Sequence, residues 1–185
     1  MGKKKSRAKA VEPAPFGRRI AAFLIDWYVG ALATALPVAT VALCLGREVT
    51  DQNILGYEAP WGAVAGLLGV TCGLVYYAVV PMLLDGRTLG KALMRLRIRS
   101  RGGGRADAGQ LVLRQVVGLV LVEQAAVGTS FVVQQLVSMA AGPVATTGVM
   151  WAGMALTLAS FVCVGVRRDH RALHDLLSDT RVVLG

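Results

Sequence analysis

The stretch 20–45, IAAFLIDWYVGALATALPVATVALCL, carries one charged side chain, Asp26, in a run that is otherwise apolar, aromatic or small. A helix needs about 20 such residues to cross the hydrocarbon layer of a bilayer. Hydrocarbon offers no partner for peptide groups, so a run of this length is helical where it meets lipid. Three further stretches have the same character: 61–84, 116–140 and 144–166. The fold class expected is therefore an all-α membrane protein with four transmembrane helices. The third stretch is the most polar, because it holds Glu123, Gln124, Gln134 and Gln135, and part of it is compatible with lying along the interface instead.

Composition agrees. The chain has 185 residues, of which 55% are hydrophobic, yet Lys and Arg number 20 against 11 Asp and Glu, a net charge of +9. A soluble domain of this size has no interior for so much apolar surface. The two properties coexist because they are segregated. Basic residues fill the N-terminal segment (Lys3 to Arg19), the connection between the second and third stretches (Arg87 to Arg114) and the tail (Arg167 to Arg181). The connection between the first two stretches has only Arg47, beside Glu48, Asp51 and Glu58, and the turn Ala141-Gly142-Pro143 has no charge. Four crossings place every basic segment on one side, which the positive-inside rule makes cytoplasmic, with both termini there. Residues 1–15 read as a flexible basic arm able to rest on anionic lipid headgroups, at about 1 kcal/mol per basic residue near the surface. The first apolar run is too long, and too interrupted by Asp26, for a cleaved signal core. The myristoylation-like match at Gly2 to Ser6 gives little to a chain that already spans.

Gly62, Gly66, Gly69 and Gly73 are spaced four, three and four apart, on one face of the second helix. Since lipid does not drive helices together by hydrophobicity, such a face marks close backbone approach, most simply to the first or fourth helix, with a homodimer as the less favoured partner. Between the second and third stretches, the partial alternation of 93–99 suggests a short strand, and Gly102-Gly103-Gly104 a turn. The tail run Thr180-Arg181-Val182-Val183 is also strand-like, and is expected to pair with 96–99 as a small cytoplasmic ribbon.

Asp26 is the costliest residue. An ionised carboxylate within a span costs roughly 2.5–3.5 kcal/mol on insertion scales, and needs a cation, a proton or an ion. Arg19 lies seven residues earlier, on the same face but too distant for unaided contact. Glu123 is the second buried carboxylate. His170 and His174 share a face, but no third ligand stands at metal-site spacing, so no metal is expected. Cys44, Cys72 and Cys163 read as small buried hydrophobes. No cofactor motif appears, no aromatic residues interleave the basic loop as single-strand nucleic-acid binding would require, and no nucleophile has a positioned base, so neither an enzyme nor a nucleic-acid binder is expected.

Three motifs then coincide. Arg19-Ile-Ala-Ala-Phe-Leu-Ile-Asp26 opens the first span. Asp85-Gly-Arg-Thr-Leu-Gly-Lys91 precedes Leu96-Arg-Ile98, the glycine turn, Gln110 and Arg114. Leu173-His-Asp175-Leu-Leu-Ser-Asp-Thr180-Arg-Val-Val183 closes the chain. Together they resemble the RDD family of bacterial integral membrane proteins, so called for one arginine and two aspartates. Matched by position, these are Arg19, Asp26 and Asp175, with Gly90, Lys91, Arg114 and Thr180 at other recurrent positions. Arg87 stands where the family often has Gln, and the interval from Arg114 to Asp175 is longer than its usual drawing. The resemblance implies a multi-pass protein of the bacterial plasma membrane, and transport, including sodium–proton exchange, is proposed for some members. Two functions follow as expectations. The first is transport or ion and proton coupling through Asp26, with Arg19 and Asp175 as a gate. The second is a non-catalytic accessory or scaffold role, with Arg19, Asp26 and Asp175 as a structural clasp, acting as an oligomer or beside a membrane-protein partner.

Overall fold

In a computed structural model, residues 14–124, 127–167 and 171–185 are described. Helix α1 (Phe16–Cys44) is followed by an irregular connection and α2 (Trp61–Leu83). A short α3 (Leu89–Leu93) leads into strand β1 (Leu96–Ser100). Then come α4 (Ala108–Val122), α5 (Gly128–Ala141), α6 (Pro143–Val166), the short α7 (Leu173–Leu177) and strand β2 (Thr180–Leu184). Three helices, α1, α2 and α6, are long and apolar enough to cross a membrane. Their outward faces are apolar, with Leu24, Trp27, Leu36, Leu67, Leu158 and Phe161 among the exposed side chains. So large an apolar exterior fits lipid and not water.

The expected third helix, 116–140, is not continuous. Helix α4 ends at Val122, where Glu123 leaves helical geometry (φ −93°, ψ 54°), and α5 starts after the extended Val127 (φ −144°, ψ 142°). The cause is the polar pair Glu123-Gln124. The Glu123 carboxylate is drawn to α7, and the carbonyls released at the break are taken by side chains: Ser130 Oγ donates to Val120 O at 2.8 Å and Gln124 Nε2 to Leu121 O at 2.9 Å. Broken backbone is tolerated at membrane depth when its polar groups are satisfied in this way.

The glycine face of α2 does pack closely, against α1 and α5 instead of α6. A Cβ on Gly69 would lie 2.8 Å from the Thr34 carbonyl oxygen, and one on Gly66 would lie 2.7 Å from Leu136 Cδ2. Gly62 meets Met139, and Gly73 meets both Thr34 and Thr129, so α5 runs antiparallel along α2. The Thr34 and Thr129 hydroxyls close this junction at 2.7 Å. Cys44 and Cys72 are exposed on outer helix faces, not buried as expected, while Cys163 is half-buried.

The ribbon forms as the alternation predicts. Strands β1 and β2 pair antiparallel, Leu96 with Leu184 through to Ser100 with Thr180. Leu96 and Ile98 face inward and are fully buried, Leu96 with Val182 against Ala22 of α1. Arg97 and Arg99 face outward and both bind Asp85, which pins the ribbon to the end of α2. Ala14, placed in the flexible arm by sequence, is instead buried, and its amide donates to Val182 O at 3.2 Å.

Candidate functional site: two buried clasps beside a cavity

The charged residues picked out by sequence gather where α1 meets the ribbon platform, in two separate clusters. In the first, Asp26 receives four donors. Its Oδ1 accepts from the Tyr76 hydroxyl at 2.7 Å and from the Gly90 amide at 2.8 Å. Its Oδ2 accepts from the Thr88 hydroxyl and from Lys91 Nζ, the latter at 2.9 Å. A widened π-type turn at Val75–Val79 lets successive tyrosines serve one residue, because Tyr77 donates to the Asp26 backbone oxygen at 3.0 Å. Gly90 is there because the amide approaches only without a side chain: a Cβ would meet the Ala22 carbonyl oxygen and would lie 2.8 Å from Asp26 Oδ1. Burial pulls the Lys91 ammonium below its ordinary pKa, and the facing Asp26 opposes that shift.

The second cluster centres on Asp175, which is fully buried. Arg19 Nη2 lies 2.7 Å from its Oδ2, Arg114 Nη1 binds its Oδ1, and the Ala172 amide donates to Oδ2 at 3.0 Å. Arg114 Nη1 also donates to Thr180 Oγ1 at 2.9 Å. Arg171 completes the frame, bonding Thr180 O and Asp175 O at 3.0 and 2.9 Å. Of the two groupings expected, Arg19 does lie against Asp175, but Asp26 does not join them in one group and pairs with Lys91. The partners missed by sequence are Tyr76, Thr88 and Arg171. Thr88 had a signal in its position within the Asp85–Lys91 motif, whereas Tyr76 had none in an apolar run.

Glu123 joins the second cluster through His174. Its Oε1 accepts from Ser160 Oγ at 2.8 Å and from the His174 amide at 2.9 Å, and His174 Nδ1 lies 3.0 Å from both carboxylate oxygens. Burial, with Arg114 adding to it, pushes the His174 imidazole down to about 4, although the nearby Glu123 acts the other way. The ring is therefore neutral at pH 7, with its proton on Nδ1 facing the carboxylate. An unfolded histidine binds its proton near pH 6.5, so the native state loses stability as pH falls from about 6.5 toward 4. Melting scans across that window are expected to show a falling midpoint, and the His174→Gln variant a shallower fall. His170, the other member of the histidine pair, lies outside the described residues. Among the described residues no group of three metal-ligating side chains occurs.

Between these clusters and α6 lies a cavity of about 330 Å³. Arg19, Asp26, Lys91, Arg114 and Glu123 line its buried side, and Leu24, Trp27 and Phe161 its apolar rim. Helices α1 and α6 meet there through the edge-to-face rings of Phe23 and Phe161, centroids 6.4 Å apart.

These features define a class: a helical membrane protein whose short two-stranded ribbon is locked to the bundle by buried ion pairs. A family model described as the RDD family matches residues 13–179, and the chain belongs to that family. The resemblance carried by Arg19, Asp26 and Asp175 is thus sound. Comparison with curated proteins and with solved structures gives no match.

Proposed function

We propose that this is a non-enzymatic, multi-pass accessory or scaffold protein of the bacterial plasma membrane, in which the two clusters are clasps holding the cytoplasmic platform to the helices. The observation that carries this reading is the state of Asp26: both oxygens are committed to fixed protein donors, two each. A carboxylate so occupied stabilises a junction, and binds a passing ion only by giving up those bonds. In this reading α4 and α5 together make the third of four crossings, as a discontinuous helix, and α6 the fourth. Every basic segment and both termini then face the cytoplasm.

A second reading, transport or proton coupling through Asp26, is favoured by one feature. Asp26 lines the cavity beside a helix broken at Glu123, and discontinuous helices often mark binding sites in transporters. The Asp26→Asn variant separates the two. The clasp reading expects a loss of about 1.5–3 kcal/mol, the range for a charge-assisted hydrogen bond, seen as a lower melting midpoint and lower abundance. It also expects no pH-gradient flux from wild-type proteoliposomes. Wild-type flux that vanishes in a fully folded Asp26→Asn protein would establish the second reading instead.

A further inference from the structure

A second cavity, of about 280 Å³, lies between α1, α5 and α6, and among the described residues it shares only Trp27 with the first. Its walls are Trp27, Phe131, Met150 and Met154, with the carboxamides of Gln124 and Gln134. No ionisable side chain is among the described residues that line it. Trp27 and Phe131 are about half exposed, at 45% and 56%. Since α1 and α6 are two of the helices able to cross the membrane, the mouth of this cavity opens among acyl chains.

The helix break fixes what the polar wall offers. Ending α4 at Val122 frees the Leu121 carbonyl oxygen, which takes Gln124 Nε2 at 2.9 Å. Gln124 Oε1 then faces the other way, and accepts from Gln134 Nε2 at 3.1 Å. That bond sets the Gln134 amide with its nitrogen toward Gln124. Gln134 Oε1 is left with no hydrogen-bond partner among the described residues, and it is not one of the side-chain atoms sealed from access. Gln134 stands midway along α5, where hydrocarbon supplies no donor and an unmet polar group is costly. An acyl chain fills such a cavity but leaves this oxygen unmet.

The complement of these walls is specific. An accessible acceptor calls for a hydroxyl donor, and walls without charge call for a neutral molecule. The rings of Trp27 and Phe131 and the thioethers of Met150 and Met154 favour an aromatic guest over a saturated one. The volume is near the lower end of the about 300–1,000 Å³ of small-molecule pockets, which suits one ring and not a whole lipid. We propose that this cavity binds the hydroxylated aromatic ring of a neutral membrane amphiphile, of phenol or quinol type. Its hydroxyl donates to Gln134 Oε1, and its apolar tail leaves between the helices into lipid. The site is independent of the clasps, to which none of these residues belongs.

The test is titration of the full-length protein in maltoside detergent with 4-octylphenol, its methyl ether 4-octylanisole, and 1-octanol, followed by native mass spectrometry and melting. The expected result is one octylphenol per chain, bound saturably, with a raised melting midpoint and a preference of about tenfold over the ether, the worth of one hydrogen bond. Gln134→Leu should abolish that preference by weakening only the phenol. Phe131→Leu, at an exposed ring, should weaken phenol and ether alike. Equal binding of octylphenol and octylanisole to the wild-type protein would overturn recognition of the hydroxyl. Octanol binding as tightly as octylphenol would overturn the aromatic ring. Octylphenol binding that is unsaturable, or unchanged in both variants, would overturn the site. Should Gln134→Leu fail to fold, the phenol–ether comparison on the wild-type protein and the Phe131→Leu result decide the matter.

Discussion

Replacing Asp175 with alanine is expected to cost about 3–5 kcal/mol, the range for removing one partner of a buried ion pair. The loss is large because two guanidinium groups depend on this carboxylate, and Arg114 beside it is almost wholly buried. Without Asp175, Arg114 keeps only the Thr180 hydroxyl on that side, and the Ala172 amide at the start of α7 loses its acceptor. The effect should be read as a fall in melting midpoint in detergent, together with lower membrane abundance. Asp175→Glu should recover little, since a fully buried position has no room for the extra methylene. A melting midpoint unchanged in Asp175→Ala would mean that the cluster contributes nothing to stability.

The second large effect is expected from Gly90→Val. Its β-carbon would be driven against the Ala22 carbonyl oxygen, which belongs to the α1 backbone and cannot rotate away. Overpacking of this kind costs about 1–3 kcal/mol. Retreat of α3 from α1 would also withdraw the Gly90 amide and Lys91 from Asp26, at about 1.5–3 kcal/mol for a charge-assisted hydrogen bond. The variant should therefore be less stable than Asp26→Asn, which keeps the backbone contact. Equal melting midpoints for the two would show that the close approach of α3 adds nothing beyond the ion pair.

Both predictions rest on contacts that were only partly legible in the sequence. The long helices were readable because hydropathy alone dictates them, and the ribbon was readable because strand alternation places Leu96, Ile98 and Val182 on one face. Arg19, Asp26, Asp175, Gly90, Lys91, Arg114 and Thr180 were all singled out, and all lie in or beside the two clasps. Of their pairings, Arg19 with Asp175 was one of the expectations, whereas Asp26 with Lys91 and Arg114 with Asp175 were not. Helical periodicity put Arg19 and Asp26 on one face of α1, and both do line the same cavity. Which opposite charge each meets, however, is decided by segments that return from far along the chain. The break at Glu123 had a visible cause in its polar neighbours, but no local signal said that the carboxylate would be used by α7.

The Arg19–Asp175 bond joins residues 156 positions apart, and β1 cannot pair until β2 exists. During synthesis, α1 and α2 can therefore be inserted and packed before the Asp175 carboxylate and the strand that pairs with β1 have been made. A chain interrupted before residue 175 would lack the carboxylate that Arg19 and Arg114 share and the strand that pairs with β1. The Asp175 clasp and the ribbon are thus completed only by residues 173–184, whereas the α1–α2 packing and the Asp26 clasp need nothing beyond Lys91.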